Sequence, residues 1–101
     1  MTEMTQTREE VLALLKTFME RQQAEYKLIS IGVFGSFARD EARSDSDVDI
    51  VFETNEPNLF RTARMKQDLE ELLGRSVDVL QLRGLTNTRL KARIEKEAVY
   101  V

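Results

Sequence analysis

Asp47 and Asp49 stand two residues apart in the run Asp47-Val48-Asp49-Ile50-Val51-Phe52, where Val48, Ile50 and Phe52 alternate as strand residues do. Side chains two apart on a strand share a face. The two carboxylates therefore project together, with Cα atoms roughly 6–7 Å apart. That spacing suits two hard cations about 3.5–4 Å apart, one carboxylate bridging and the other holding one ion, as in two-metal phosphoryl chemistry. Like charges this close repel when partly buried, and a metal relieves them. Asp78 sits between Val77 and Val79 in a second β-rich segment. If that segment runs beside the first, Asp78 becomes a third ligand and the candidate for accepting a proton from an attacking hydroxyl. Its plainer alternative is an edge-strand carboxylate facing water. Gly35-Ser36 ends an apolar stretch and opens a polar turn. Glycine permits close backbone approach, and amides with a serine hydroxyl make an anion cradle. A cradle for phosphates, carboxylates for magnesium and one carboxylate as base describe nucleotidyl transfer.

Composition forces the chemistry onto those carboxylates. The 101 residues contain no histidine and no cysteine, which excludes imidazole bases, thiolate zinc sites, thiol nucleophiles and disulfides. A net charge of −3 argues against a general polyanion binder, so no direct nucleic-acid contact is expected. Hydrophobic residues at 42% and charged residues at 33% are a globular balance. The length allows one domain, residues 1–101. No targeting or membrane-spanning segment is legible, since the apolar run Val11–Leu15 stops at Lys16. A cytoplasmic protein is the expectation.

The elements that must position these groups follow from periodicity. Thr7 and Glu10 form a capping-box pattern, and the apolar spacing after them predicts a helix from about Thr7 to Tyr26, within an N-terminal segment 1–27. Residues 28–101 carry the site. Leu28–Phe34 reads as a buried strand, residues 36–46 as a turn or short helix and a loop, and Asp47–Phe52 as a second strand. A helix over Leu59–Leu73 is expected to bury Phe60, Ala63, Leu69, Leu72 and Leu73, with Gly74 at its C-terminus. A third strand at Val77–Leu80, a last helix from about Leu85 or Thr86 to Glu97 and a brief extended tail complete the order. This predicts an α+β fold, a small mixed β-sheet with helices packed on it.

Rival readings of the same residues are weaker. Asp45, Asp47, Asp49 and Glu56 fall at EF-hand positions 1, 3, 5 and 12, but Ile50 occupies the position that needs glycine. Gly35-Ser36 is no Walker A loop, because no Gly-Lys-Ser/Thr follows. Of the arginines near the turn, Arg39 is placed beside the phosphates. Residues 83–97 hold five basic against two acidic side chains, a local +3 that reads first as a solvated helix face.

Gly35-Ser36, ten residues, Asp47-x-Asp49 and a later strand Asp78 resemble the signature of the DNA polymerase β-like nucleotidyltransferase superfamily. The short chain is similar to its minimal nucleotidyltransferases (MNT), many of them antitoxins paired with a HEPN-domain ribonuclease toxin. Phe34-Gly35-Ser36-Phe37-Ala38-Arg39 and Ile94-Glu95-Lys96-Glu97-Ala98-Val99-Tyr100 carry the resemblance further. It implies that Asp47 and Asp49 bind magnesium, two ions in all, that Asp78 joins them and activates the acceptor hydroxyl, and that Gly35 and Ser36 hold the triphosphate of ATP. It also implies AMP transfer to a tyrosine of the toxin within a hetero-oligomer. The alternatives are an antitoxin that neutralises by occlusion, without catalysis, and transfer to a small molecule, which the lack of room for a substrate domain weakens. Asp40 departs from the family pattern, which often has glycine after the arginine.

Overall fold

A computed structural model describes residues 7–43 and 46–101. The first six residues of the N-terminal segment and Asp45 of the loop lie outside the described residues.

Helix α1 spans Arg8–Tyr26. Its capping box closes as the spacing predicts: Glu10 N–H donates to Thr7 Oγ1 at 3.1 Å, and Thr7 N–H donates to the Glu10 carboxylate at 2.8 Å. The helix ends at Lys27 in left-handed backbone (φ 52°), which turns the chain directly into strand β1, Leu28–Phe34. Strand β2 is Val48–Thr54, helix α2 Leu59–Leu73, strand β3 Val77–Gln81, helix α3 Thr88–Glu97 and strand β4 Val99–Tyr100. A 3₁₀ turn at Leu82–Gly84 separates β3 from α3.

The sheet order is β3-β2-β1-β4. Strand β1 is antiparallel to β2 and to β4, whereas β2 and β3 run parallel. Strand alternation divides the core in two. Ile31, Val33, Val48, Ile50 and Val77 face α1 and α2, where they pack with Val11, Leu15, Phe18, Met65 and Leu69. Val51 faces the other way, against Leu82 and Ile94 beneath α3.

Three expectations shift. Strand β2 begins at Val48, leaving Asp47 one residue outside it, and continues to Thr54. The buried row of α2 is Met65, Leu69 and Leu73, while Phe60 is 82% exposed and Ala63 and Leu72 are exposed. At about 100° per residue, Phe60 lies half a turn round the helix from Leu69. The last helix starts later than expected because Asn87 caps it, its Oδ1 accepting from Leu90 N–H at 3.0 Å.

Candidate active site

The sheet register assembles the site at the end where β1 stops and β2 and β3 begin. Asp49 stands opposite Phe34 across the antiparallel β1–β2 pair and opposite Asp78 across the parallel β2–β3 pair. Paired residues on neighbouring strands share a face about 4.8 Å apart, so the Asp49 and Asp78 side chains rise together. That face is the one carrying Val51 and α3, because Val48 and Ile50 are buried on the α1–α2 side. Hydrogen bonds hold the two strand starts level: Val48 N–H donates to Ser76 C=O at 3.0 Å, and Val77 N–H donates to the Glu70 carboxylate at 3.1 Å.

Gly35 follows Phe34 and has left-handed backbone, φ +72°. A Cβ at this position would lie 2.3 Å from Asp49 Oδ2. The Asp49 carboxylate thus occupies the space where any other residue's side chain would begin. The dihedral favours glycine, and a Cβ here would push the Asp49 carboxylate aside.

The turn after Gly35 is pinned from three sides. Phe37 is fully buried, and the Arg75 guanidinium lies over its ring, 5.1 Å from the centroid. Arg75 Nη1 also donates to Ser46 C=O at 3.0 Å, just before Asp47. From the start of α1, Arg8 Nη1 donates to Ala38 C=O at 3.1 Å. The bonds inside the turn begin with Arg39 N–H, donating to Gly35 C=O at 3.1 Å, so the amides of Ser36, Phe37 and Ala38 precede the first of them. Asp40 takes left-handed backbone, φ 60°. This is the dihedral that glycine adopts without strain, and it gives a physical reason for the family's glycine at this point.

Electrostatically the site is an excess of negative charge. Asp49 is half-buried, and its carboxyl is held above the ordinary aspartate value. Burial contributes most, followed by the charges of Asp78 and then Asp47, with Arg39 acting in the opposite sense. Asp47 and Asp78 are exposed. Arg39 is engaged with Glu41 (Nε, 2.9 Å) and with Glu97 on α3 (Nη1, 3.0 Å), and these two bonds hold its charge more firmly. Among the described residues, no three acidic side chains close into a ready-made metal cluster. The donor chemistry nevertheless fits a hard divalent cation: carboxylate oxygens alone, mutually repelling at Asp49 and opposed by a single arginine.

The structure thus brings together Gly35, Asp49 and Asp78, keeps Asp47 within their field and places Ser36 at the start of the turn. Arg39 leans toward α3. Sequence reasoning missed Glu97 as the partner of Arg39, and Arg75 as the residue that joins Phe37 to Ser46. Phe37 carried a signal, being an aromatic in an otherwise polar turn. A groove of about 360 Å³ lies between α1 and α2, lined by Phe18, Arg21, Asp68 and Leu72 among others. It lies on the opposite face of the sheet from the aspartates.

Residues 13–101 match the family described as the nucleotidyltransferase domain. The protein adenylyltransferase MntA of Thermococcus cleftensis is 36% identical over 96 residues, covering 94% of this chain and 96% of its own length. A solved structure described as a minimal nucleotidyltransferase superposes with a TM-score of 0.79 at 37% identity, covering 93% of this chain and 95% of that one. The same fold occurs, with a TM-score of 0.69 at 19% identity, in the structure of the tri-AMPylated Shewanella oneidensis HEPN toxin in complex with MNT antitoxin. There 93% of this chain and 71% of the other are covered.

Proposed function

The chain belongs to the nucleotidyltransferase domain family, and from that membership we propose that it is an antitoxin-type protein adenylyltransferase, one domain that moves AMP from ATP onto a tyrosine hydroxyl of a HEPN-domain ribonuclease toxin. The name of the Thermococcus relative and the AMPylated toxin in the Shewanella complex support this reading. No helix among the described residues is long and apolar enough to cross a membrane, and we place the protein in the cytoplasm.

In this reading the acceptor oxygen forms a bond to the α-phosphorus of ATP. The bond from that phosphorus to the bridging oxygen breaks, and pyrophosphate leaves. Asp78 is exposed beside Asp49, open to an approaching hydroxyl, and accepts its proton. Gly35 and Ser36 hold the triphosphate at the pinned turn, and Arg39 exchanges Glu41 and Glu97 for phosphate oxygens. Magnesium, held by Asp47 and Asp49 with Asp78 on one of two ions, would neutralise phosphate charge and acidify the acceptor.

The observation that carries the proposal is the Asp49 carboxylate seated against Gly35 and level with Asp78. The test incubates the purified chain with ATP, magnesium and a HEPN-domain protein from the same genome. An AMP mass increment on a tyrosine of that protein, absent with Asp47→Ala, is expected. Full neutralisation of the toxin by Asp47→Ala without ATP would replace catalysis with occlusion.

A further inference from the structure

Every basic side chain after Arg75, namely Arg83, Arg89, Lys91, Arg93 and Lys96, is without a side-chain partner among the described residues. Earlier cations are more often engaged: Arg8, Lys27, Arg39 and Arg64 all make ion pairs. The free charges belong to α3 and the turn before it, within a chain whose net charge is −3. Their placement on α3 is directional. Arg89, Arg93 and Glu97 are spaced by four, so they follow one edge of the helix. Glu97, the last of them, reaches Arg39 on the phosphate turn at 3.0 Å. Both arginines are exposed. A cationic edge therefore runs from solvent to the rim of the aspartate site, on the same face of the sheet.

We infer that the Arg89–Arg93 edge of α3 is the docking surface for an acidic patch on the protein acceptor. The inference rests on the adenylyltransferase reading above and adds the chemistry by which that site selects its partner. An acceptor whose hydroxyl reaches Asp78 approaches on the face of the sheet that carries α3, since the α1–α2 layer covers the other. Unpaired arginines at such a rim steer a partner of opposite charge and accelerate its encounter. Nucleic acid fits this surface less well. Asp47, Asp78, Glu41 and Glu97 bring negative charge to the end of the row. Helix α3 itself carries no aromatic side chain on which bases could stack.

The test compares the wild type with Arg89→Glu/Arg93→Glu in AMP transfer to the HEPN-domain protein at two salt concentrations. We expect KM for that protein to rise at least about tenfold at low salt. The expected KM for ATP and the rate at saturating acceptor are unchanged, and the salt dependence flattens. Arg89→Gln/Arg93→Gln gives a smaller rise in the same constant. An unchanged acceptor KM overturns the inference, and so does a rise confined to ATP. Tighter binding of a single-stranded RNA oligonucleotide than of the HEPN protein, lost in the double variant, also overturns it. If the wild type transfers no AMP, the adenylyltransferase reading fails by itself. Calorimetric affinity of the two proteins then decides the docking surface: a loss of at least about tenfold in the Glu variant upholds it and equal affinity rejects it.

Discussion

Replacing Gly35 by alanine imposes two penalties at one atom. The left-handed dihedral of +72° costs an L-residue about 1–2 kcal/mol. The added Cβ would also lie 2.3 Å from Asp49 Oδ2 and 3.3 Å from its Cγ, against an ordinary contact of about 3.5 Å. The carboxylate must therefore retreat by about 1 Å, and a misplacement of that size costs about 10²-fold in rate. Gly74 supplies the control. Its φ is +71°, but nothing lies within 4 Å of the corresponding Cβ. Gly74→Ala should lose about the same 1–2 kcal/mol of stability, a fall of roughly 5–15 °C in Tm for a domain of this size, with AMP transfer intact. Gly35→Ala should show a comparable fall in Tm and at least about a 100-fold loss in kcat. Thermal unfolding and single-turnover transfer assays on both variants make the comparison. If Gly35→Ala keeps its rate within a few-fold while unfolding earlier, the seat of Asp49 against the turn has no bearing on the chemistry and the reasoning is refuted.

Three further outcomes follow from the same structure. Asp40→Gly relieves the left-handed dihedral of 60° and should stabilise the fold by up to about 1 kcal/mol in urea unfolding; a loss would show that the Asp40 side chain contributes more than its backbone strain. Tyr26 has its pKa pushed from 10.0 up to about 12, by burial first and then by its hydrogen bond to Asp68. The folded state thus holds that proton more tightly than the unfolded one. The resulting stability, on the order of 2 kcal/mol, is fully present below pH 10 and lost as pH rises through about 12. Tyr26→Phe keeps the ring stack on Phe18 and should remove that part of the pH dependence. Magnesium should raise the Tm of the wild type by relieving the repulsion on Asp49, and Asp49→Ala should abolish the shift; an equal shift in both would place the ion elsewhere.

The elements were legible wherever a local rule governs them. Thr7 with Glu10 marked the start of α1, Gly74 the end of α2, and the β-branched run the whole of β1. The aspartate spacing pointed to a shared face, and the pairing of β2 with β3 sets Asp78 opposite Asp49, while leaving it exposed on the edge strand of the sheet, as its plainer reading had it. What escaped is what the chain brings together from afar. Glu97 is 58 residues from Arg39, and no periodicity links them. Phe60 looked like core because it is large and apolar, yet the row that the sheet buries is centred on Leu69, and tertiary packing overrides residue type. Position 40 carried its meaning in a dihedral angle, which an aspartate does not advertise.

The two faces of the sheet are unequally anchored. Beneath α1 and α2 lies a broad apolar layer, whereas the α3 side rests on Val51, Leu82 and Ile94 with partly covered neighbours. Local opening costs least where the fewest apolar contacts are broken. The thinner layer should therefore exchange its amide hydrogens first. An incoming protein could rearrange that side while the thicker half keeps Gly35, Asp49 and Asp78 in register, so that adaptability and rigidity are assigned to opposite surfaces of four short strands.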